Sequence, residues 1–246
     1  MLRYVIKRIL WMVPIFLGII ILIFTVMYLS PSDVTVTILG EGCVPEQREA
    51  LRERLGLNDS YLVQVSRYIY QVCVNFDLGN SYITNVPVMH SISERLPRTL
   101  AIGIISMILQ VIAGIPLGVY AATHQNRLGD RVATMIALLG VSFPQFWLAM
   151  MMVVLFAVKL KWLPAFGMDS WKSFIMPCIA ISVAALAGLT RQTRSSMLEV
   201  MRSDYVTTAR AKGVRKRVVI YKHALPNGLI PLITFIGTEL GIIFGG

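Results

Sequence analysis

The chain has 246 residues, of which 56% are hydrophobic and 15% charged. That balance excludes an ordinary soluble domain and points to an all-α polytopic membrane protein. The formal net charge is +10, but the basic residues lie beside apolar runs and not among exposed aromatics. This is the placement expected of cytoplasmic membrane loops, and it argues against a nucleic-acid partner.

Residues 1–30 read as a first transmembrane helix. Arg3, Lys7 and Arg8 precede Ile9–Leu29, which carries no charge. At a rise of about 1.5 Å per residue, roughly 20 apolar residues cross the hydrocarbon layer. A signal peptide has a shorter apolar core, and Ser30-Pro31 is a poor cleavage site. The span is therefore read as retained, with a cytoplasmic N-terminus and with Trp11 and Tyr28 near its two interfaces.

Residues 31–98 read as an extracytoplasmic segment. Ser32–Arg98 holds eight acidic and six basic side chains. Pro45 opens a short charged helix, EQREALRERL, which Gly56 closes. Tyr61–Phe76 places Val65, Ile69, Val72 and Phe76 at helical spacing, a stripe for packing or for the bilayer surface. Cys43 and Cys73 fall on this outer side, where a disulfide is chemically possible. Cys178 lies in an apolar run and reads as packing.

Residues 99–246 read as the transmembrane core. Thr99–Ala122 is a second span, in which Gln110 is the strongly polar side chain and Gly103, Gly114 and Gly118 permit close helix contact. His124–Arg131 is a short loop, cytoplasmic by alternation. Val132–Val158 is a third apolar run, interrupted by SFPQFW at Ser142–Trp147. Pro144, beside Ser142 and Gln145, frees a backbone carbonyl. The site is either a discontinuous helix that contacts a transported solute or a plain kink packed on a neighbour. Lys159–Ser173 is an outer loop with Trp162 and Trp171 near its edges, and Phe174–Thr190 is a short fourth span rich in Ala, with Ser182 among them. Leu229–Gly246 begins a fifth span containing Glu239. A charge at mid-membrane costs roughly 2.5–3.5 kcal/mol on insertion scales, so Glu239 either lines a polar path or sits near the outer interface. The three inner pieces hold 14 Lys or Arg in 49 residues, against 9 in 83 for the outer pieces, which supports this orientation.

Between the fourth and fifth runs lies a basic loop, residues 191–226. Arg191–Lys222 carries nine Lys or Arg against two acids, Glu199 and Asp204. Gly213 stands between helix-forming stretches and can take the positive φ that lets a second helix leave at an angle. Pro226 and Asn227 are expected to end that second helix. The residues alone support two readings: a surface helix pair with a mechanical role, or a basic loop that only fixes topology.

The stretch YVTTARAKG, with Leu225-Pro226 after it, resembles the EAA loop of ABC-transporter permease subunits. That pattern is Glu-Ala-Ala, three residues, Gly, nine residues, a hydrophobic residue, any residue, then Leu-Pro. Ala209, Gly213 and Leu225-Pro226 match it. Thr207 and Thr208 stand where Glu and the first Ala are usual, and His223 stands at the hydrophobic position. The form YVTTARAKG is similar to that of the peptide and nickel branch. LGL at Leu55–Leu57, DLGNS at Asp77–Ser81, Pro87-Val88 and ISERLPRTL at Ile92–Leu100 are similar to the outer segment of dipeptide-type permeases.

The resemblance implies a permease helical bundle that moves peptides, nickel or related small solutes across a bacterial or archaeal cytoplasmic membrane by ATP-driven alternating access. It implies that Tyr205, Thr207, Ala209, Ala211, Gly213, Leu225 and Pro226 couple the chain to an ATPase. The implied partners are a second homologous permease, two cytoplasmic ATP-binding subunits and an extracytoplasmic substrate-binding protein, all around the lipid bilayer. About five spans are present. The family's usual sixth is expected beyond Gly245-Gly246, where the chain stops inside an apolar run.

The chain lacks a G-x-x-x-x-G-K-[ST] phosphate loop, so ATP hydrolysis is expected on the partner subunits. His90, His124 and His223 are far apart in sequence and form no metal motif, so no metal or cofactor is expected. Gly140-Val141-Ser142 lacks a histidine in a later span to serve as base, which argues against a membrane protease. The competing function is a non-transporting scaffold or sensor whose basic loop binds anionic lipid. Retention of an ATPase subunit separates the two.

Overall fold

A computed structural model describes residues 2–30, 33–40 and 42–245. Pro31, Ser32 and Gly246, named above, lie outside them. Among the described residues the chain is helical, with a single isolated bridge between Asn80 and Pro87. It divides into two compact units, residues 1–96 and 97–246.

In the first unit, helix α1 (Leu2–Leu29) carries Arg3, Lys7 and Arg8 in its first turns, is uncharged from Ile9 onward, and exposes most of its side chains. Such a surface is compatible with hydrocarbon and not with water. Near its C-terminal end it packs against α4 (Tyr61–Val74). The Thr25 and Tyr61 hydroxyls pair at 2.6 Å, and Phe24 and Tyr28 meet Tyr61 and Tyr68 ring to ring. Helix α2 (Val34–Leu39) is capped by Asp33. Helix α3 (Pro45–Leu55) runs where the charged stretch predicts, opened by Pro45 and closed by Gly56 at φ 66°. Val65 and Val72 of α4 are buried as the stripe requires, but Phe76 is not part of it. The helix ends first, and Phe76 sits at φ 52° with its ring exposed. Cys43 and Cys73 are free thiols.

Helix α5 (Val88–Thr123) starts earlier than the apolar run, because SISERLPRT already winds helically. In the second unit it is followed by α6 (Leu128–Ser142), α7 (Gln145–Met152) with a π-helical continuation over Val153–Lys159, and α8 (Lys172–Met201). The glycines of α5 serve as expected. A Cβ on Gly114 would stand 3.3 Å from the Leu186 carbonyl oxygen. One on Gly118 would stand 2.7 Å from the Thr190 carbonyl oxygen and would collide with Thr193. Thr190 also donates its hydroxyl to the Gly114 carbonyl at 3.3 Å. Gly103 does the same service for Ile243 of the last helix, α12 (Ile230–Gly245).

Two boundaries differ from the sequence expectation. The fourth span does not stop at Thr190: α8 continues to Met201. Nothing in RQTRSSMLEVM breaks a helix, and Thr193, Ser196 and Met197 prolong its buried face. Pro226 does not end the second loop helix. It lies in the first turn of α11 (Leu225–Gly228), where its missing N–H costs nothing. The chain bends instead at Leu229, just before Pro231.

Among the described residues three helices are long and apolar enough to cross a membrane alone: α1, α5 and α8. Two bent pairs raise the count to five if each pair is one span. Leu128–Ser142 and Gln145–Lys159 meet at 92°, and Lys216–Gly228 and Ile230–Gly245 meet at 50°. The interruption at Pro144 is therefore a near right-angle break, larger than a proline kink. This is an all-α polytopic membrane protein.

Candidate functional site

After α8 the chain turns at Arg202-Ser203 into α9 (Asp204–Ala211). Ser203 is extended at ψ 154° and takes the position before the first helical turn. Asp204 places a negative charge in that turn, where the helix dipole favours it. Gly213, at φ 77°, ends the element. Nothing lies within 4 Å of where its Cβ would be. The glycine is there for its backbone angle, not for space.

One face of α9 is anchored. Val206 is fully buried with Val119 and Ala122 of α5, Met197 of α8, and Val219, Ile220 and Ala224 of the next segment; Ala209 packs half-buried against the same cluster. The other face is free. Thr207, Thr208, Arg210 and Ala211 are exposed, and Thr207 and Thr208 turn their hydroxyls back to the Ser203 and Asp204 carbonyls. Tyr205 is 45% exposed, and its hydroxyl accepts a hydrogen bond from the Asn227 amide at 3.0 Å.

Beyond Gly213 a single α-helical turn, α10 (Lys216–Val218), passes into a π-helical stretch, Val219–Ala224, and then into α11. Leu225 donates its N–H to the Ile220 carbonyl, the wider π spacing, immediately before Pro226, which has none to give. Leu225 is half-buried on the core cluster and Pro226 is exposed. Ser196 of α8 donates its hydroxyl to the Gly228 carbonyl at 2.8 Å and fixes α11 to the bundle. Arg210, Lys212, Arg215, Lys216, Arg217 and Lys222 are all exposed, and no ion pair among the described residues engages them.

Tyr205, Thr207, Ala209, Ala211, Gly213, Leu225 and Pro226 thus fall in one contiguous structure. The other candidates divide. Ser142, Pro144 and Gln145 lie together at the 92° break, all exposed, with Phe143 and Trp147 stacked beside them at 5.0 Å. The Ser142 hydroxyl is turned back to the Leu138 carbonyl at 2.8 Å. Glu239 lies half-buried on α12, away from these three in the chain. Among the described residues no cluster of His, Cys, Asp or Glu is arranged to hold a metal ion.

Sequence reading missed three residues that build this region. Val206 is the large aliphatic residue of DYVTTARA and shares a face with Ala209 three positions on, a signal short enough to overlook. Asn227 reads as a helix breaker but serves as a clasp. Arg194 reads as one of many loop cations, yet Nε and Nη2 of its guanidinium grip Asp130 at 2.6 and 2.7 Å.

Comparison with known proteins agrees with this architecture. Residues 114–246 match the family described as the binding-protein-dependent transport system inner membrane component, and residues 1–103 match the N-terminal region of the same transport-system membrane components. The chain is 41% identical to a dipeptide transport system permease protein, DppB, of Alkalihalophilus pseudofirmus, an alignment covering 100% of this chain and 82% of that protein. It is 39% identical to glutathione transport system permease proteins, GsiC, of Salmonella paratyphi A and Escherichia coli K12, covering 100% of this chain and 80% of each. With the full length of the chain matched and an all-helical, multi-span fold, this protein belongs to the family of inner-membrane permease subunits of binding-protein-dependent ABC transport systems.

Proposed function

We propose that this chain forms half of a path for small peptides, and that α9 is the element on which a cytoplasmic ATPase subunit acts. The observation that carries the reading is the two-sidedness of α9. Val206 and Ala209 lock it to α5, α8 and the π-helical stretch Val219–Ala224, while Thr207, Thr208, Arg210 and Ala211 are exposed, and the two threonine hydroxyls bond back only to carbonyls at Ser203 and Asp204. A helix gripped on one side and bare on the other is suited to receive a push and pass it on. Tyr205, Gly213, Leu225 and Pro226 set its position.

A second homologous permease supplies the other half of the path, two ATP-binding subunits supply the drive, and an extracytoplasmic binding protein delivers the solute. The N-terminus lies in the cytoplasm of a bacterial or archaeal cell. Transport proceeds by rocking of the helices between outward and inward openings. Gln145, with Ser142 and Pro144, faces the path, since an exposed amide and freed carbonyls need water or solute and not lipid. Glu239 faces it for the same reason of charge. The relatives named for dipeptide and glutathione transport point to peptides as the solute class.

The test is reconstitution of the complete assembly in proteoliposomes with a labelled dipeptide. Uptake that requires ATP and the binding protein supports the reading. An assembly purified from the native membrane that never retains an ATPase subunit rejects it in favour of a lipid-binding scaffold.

A further inference from the structure

In the proposed coupling, displacement of α9 must reach the broken span, and a directional contact between α8 and α6 lies on that route. Arg194 donates from Nε to Asp130 Oδ1 at 2.6 Å and from Nη2 to Oδ2 at 2.7 Å, a two-point fork. Asp130 is 4% exposed. Its Oδ2 also accepts the Asn126 backbone N–H at 2.9 Å, and Asn126 sits at φ 63° in the turn before α6. One carboxylate therefore joins that turn, the first turn of α6 and the later part of α8. It is the one ion pair of residues 97–246 among the described residues.

The rest of the α6–α8 contact is smooth. Ala133, Ala137 and Gly140 continue the face of Asp130 at helical spacing, and a Cβ on Gly140 would rest 3.4 Å from Val183 and 3.5 Å from Ala187. Small side chains allow close approach but offer little to resist sliding or rolling. The fork is directional and does resist it. From Arg194, α8 runs unbroken for seven more residues, about 10 Å, to the turn that begins α9. From Asp130, α6 runs unbroken to the 92° break at Pro144.

We propose that Asp130 and Arg194 are positioning residues for transport: their fork obliges α6 to follow α8, so that displacement of α9 reaches the break at Ser142–Gln145. The proposal rests on the coupling role of α9. Lysine in place of Arg194 keeps the charge but cannot form the fork. Asparagine in place of Asp130 keeps an acceptor for Asn126 but loses the charge.

The experiment measures dipeptide uptake and ATP hydrolysis together in proteoliposomes holding the complete transporter. For Arg194→Lys and Asp130→Asn, hydrolysis continues while dipeptide moved per ATP falls on the order of tenfold, the usual scale of coupling between sites. The lysine variant shows the smaller fall. A wild-type ratio in either assembled variant overturns the proposal. So does a parallel loss of uptake and hydrolysis, which marks a purely structural role. Should one variant fail to assemble, the other decides by the same criterion. Failure of the unsubstituted transporter to move the dipeptide strikes the peptide reading and not the fork.

Discussion

The Asn227 amide donates to the Tyr205 hydroxyl at 3.0 Å, joining the second residue of α9 to the short helix that feeds the last span, 22 residues away. The same nitrogen reaches the His223 carbonyl at 3.3 Å. With Val206 buried beside it, α9 is held by a polar clasp on its rim and an apolar peg beneath. The two fastenings differ in strength, and that difference is testable. Tyr205→Phe removes a solvent-accessible hydrogen bond, a loss of at most about 1 kcal/mol. Its expected result is normal membrane insertion with uptake reduced by less than about tenfold. Val206→Asp places an unpaired charge in the cluster that seats α9, and burial of a valine alone is worth roughly 1.5–3 kcal/mol. Uptake should be abolished, and protease cleavage near Lys212 should rise. Equal effects of the two substitutions would contradict the peg.

Gly118 should tolerate no side chain. Its Cβ would meet the Thr190 carbonyl oxygen at 2.7 Å and collide with Thr193, both on α8. Gly118→Val forces α5 and α8 apart at a cost of about 1–3 kcal/mol, as overpacking typically does. Detergent-solubilised variant protein should unfold at lower temperature than the wild type. Gly241→Ala serves as the control, because nothing lies within 4 Å of its Cβ position. That substitution should leave the unfolding temperature unchanged.

Gly213 is limited by angle and not by room. At φ 77° in open space, a β-branched residue is strained by roughly 1–2 kcal/mol while asparagine tolerates the left-handed region. Gly213→Asn should keep most uptake, and Gly213→Val should lose much of it at equal membrane abundance. Loss of uptake in both would mean that the bare glycine surface itself is needed for contact with a partner.

In the outer unit, Asp33 accepts from the Thr35 hydroxyl at 2.6 Å, the Thr35 N–H at 3.0 Å and Arg52 at 2.7 Å. The Thr35 bonds, led by the hydroxyl, and then Arg52 hold its pKa down at about 2. A lowered folded-state pKa means that the clasp is complete above the ordinary carboxylate range and is lost as pH falls through the folded value. Exchange of the Thr35 amide hydrogen should stay slow at roughly pH 4 and accelerate, relative to its intrinsic rate, only on further acidification. Acceleration already at pH 4 would contradict it.

Much of this architecture is legible in composition. The apolar runs of α1 and α5, the charged helix opened by Pro45, and the pivot at Gly213 follow from charge exclusion, proline placement and glycine's backbone freedom. What was hidden depends on contacts between distant segments. The end of α8 was obscured because Arg191 and Arg194 read as loop charges, yet the buried face of Thr193 and Met197 carries the helix past them. Pro226 reads as a terminator, but the π-helical stretch before it places it in a first turn, where its missing N–H is harmless. The depth of the break at Pro144 is not encoded by the proline alone, since the same residue type bends helices by far smaller angles. The Asp130–Arg194 pair, 64 residues apart, leaves no local pattern at all.

The account stands on α9 and its basic continuation facing the cytoplasm. Cysteines at Arg210 and Lys216, introduced one at a time after replacing Cys43 and Cys73 and with only the buried Cys178 retained, would be exposed to a membrane-impermeant maleimide in intact cells and in inside-out vesicles. The account predicts labelling only in the vesicles, with retained ATPase subunits reducing it. Labelling of either position in intact cells would contradict it, since no cytoplasmic motor could then reach the helix.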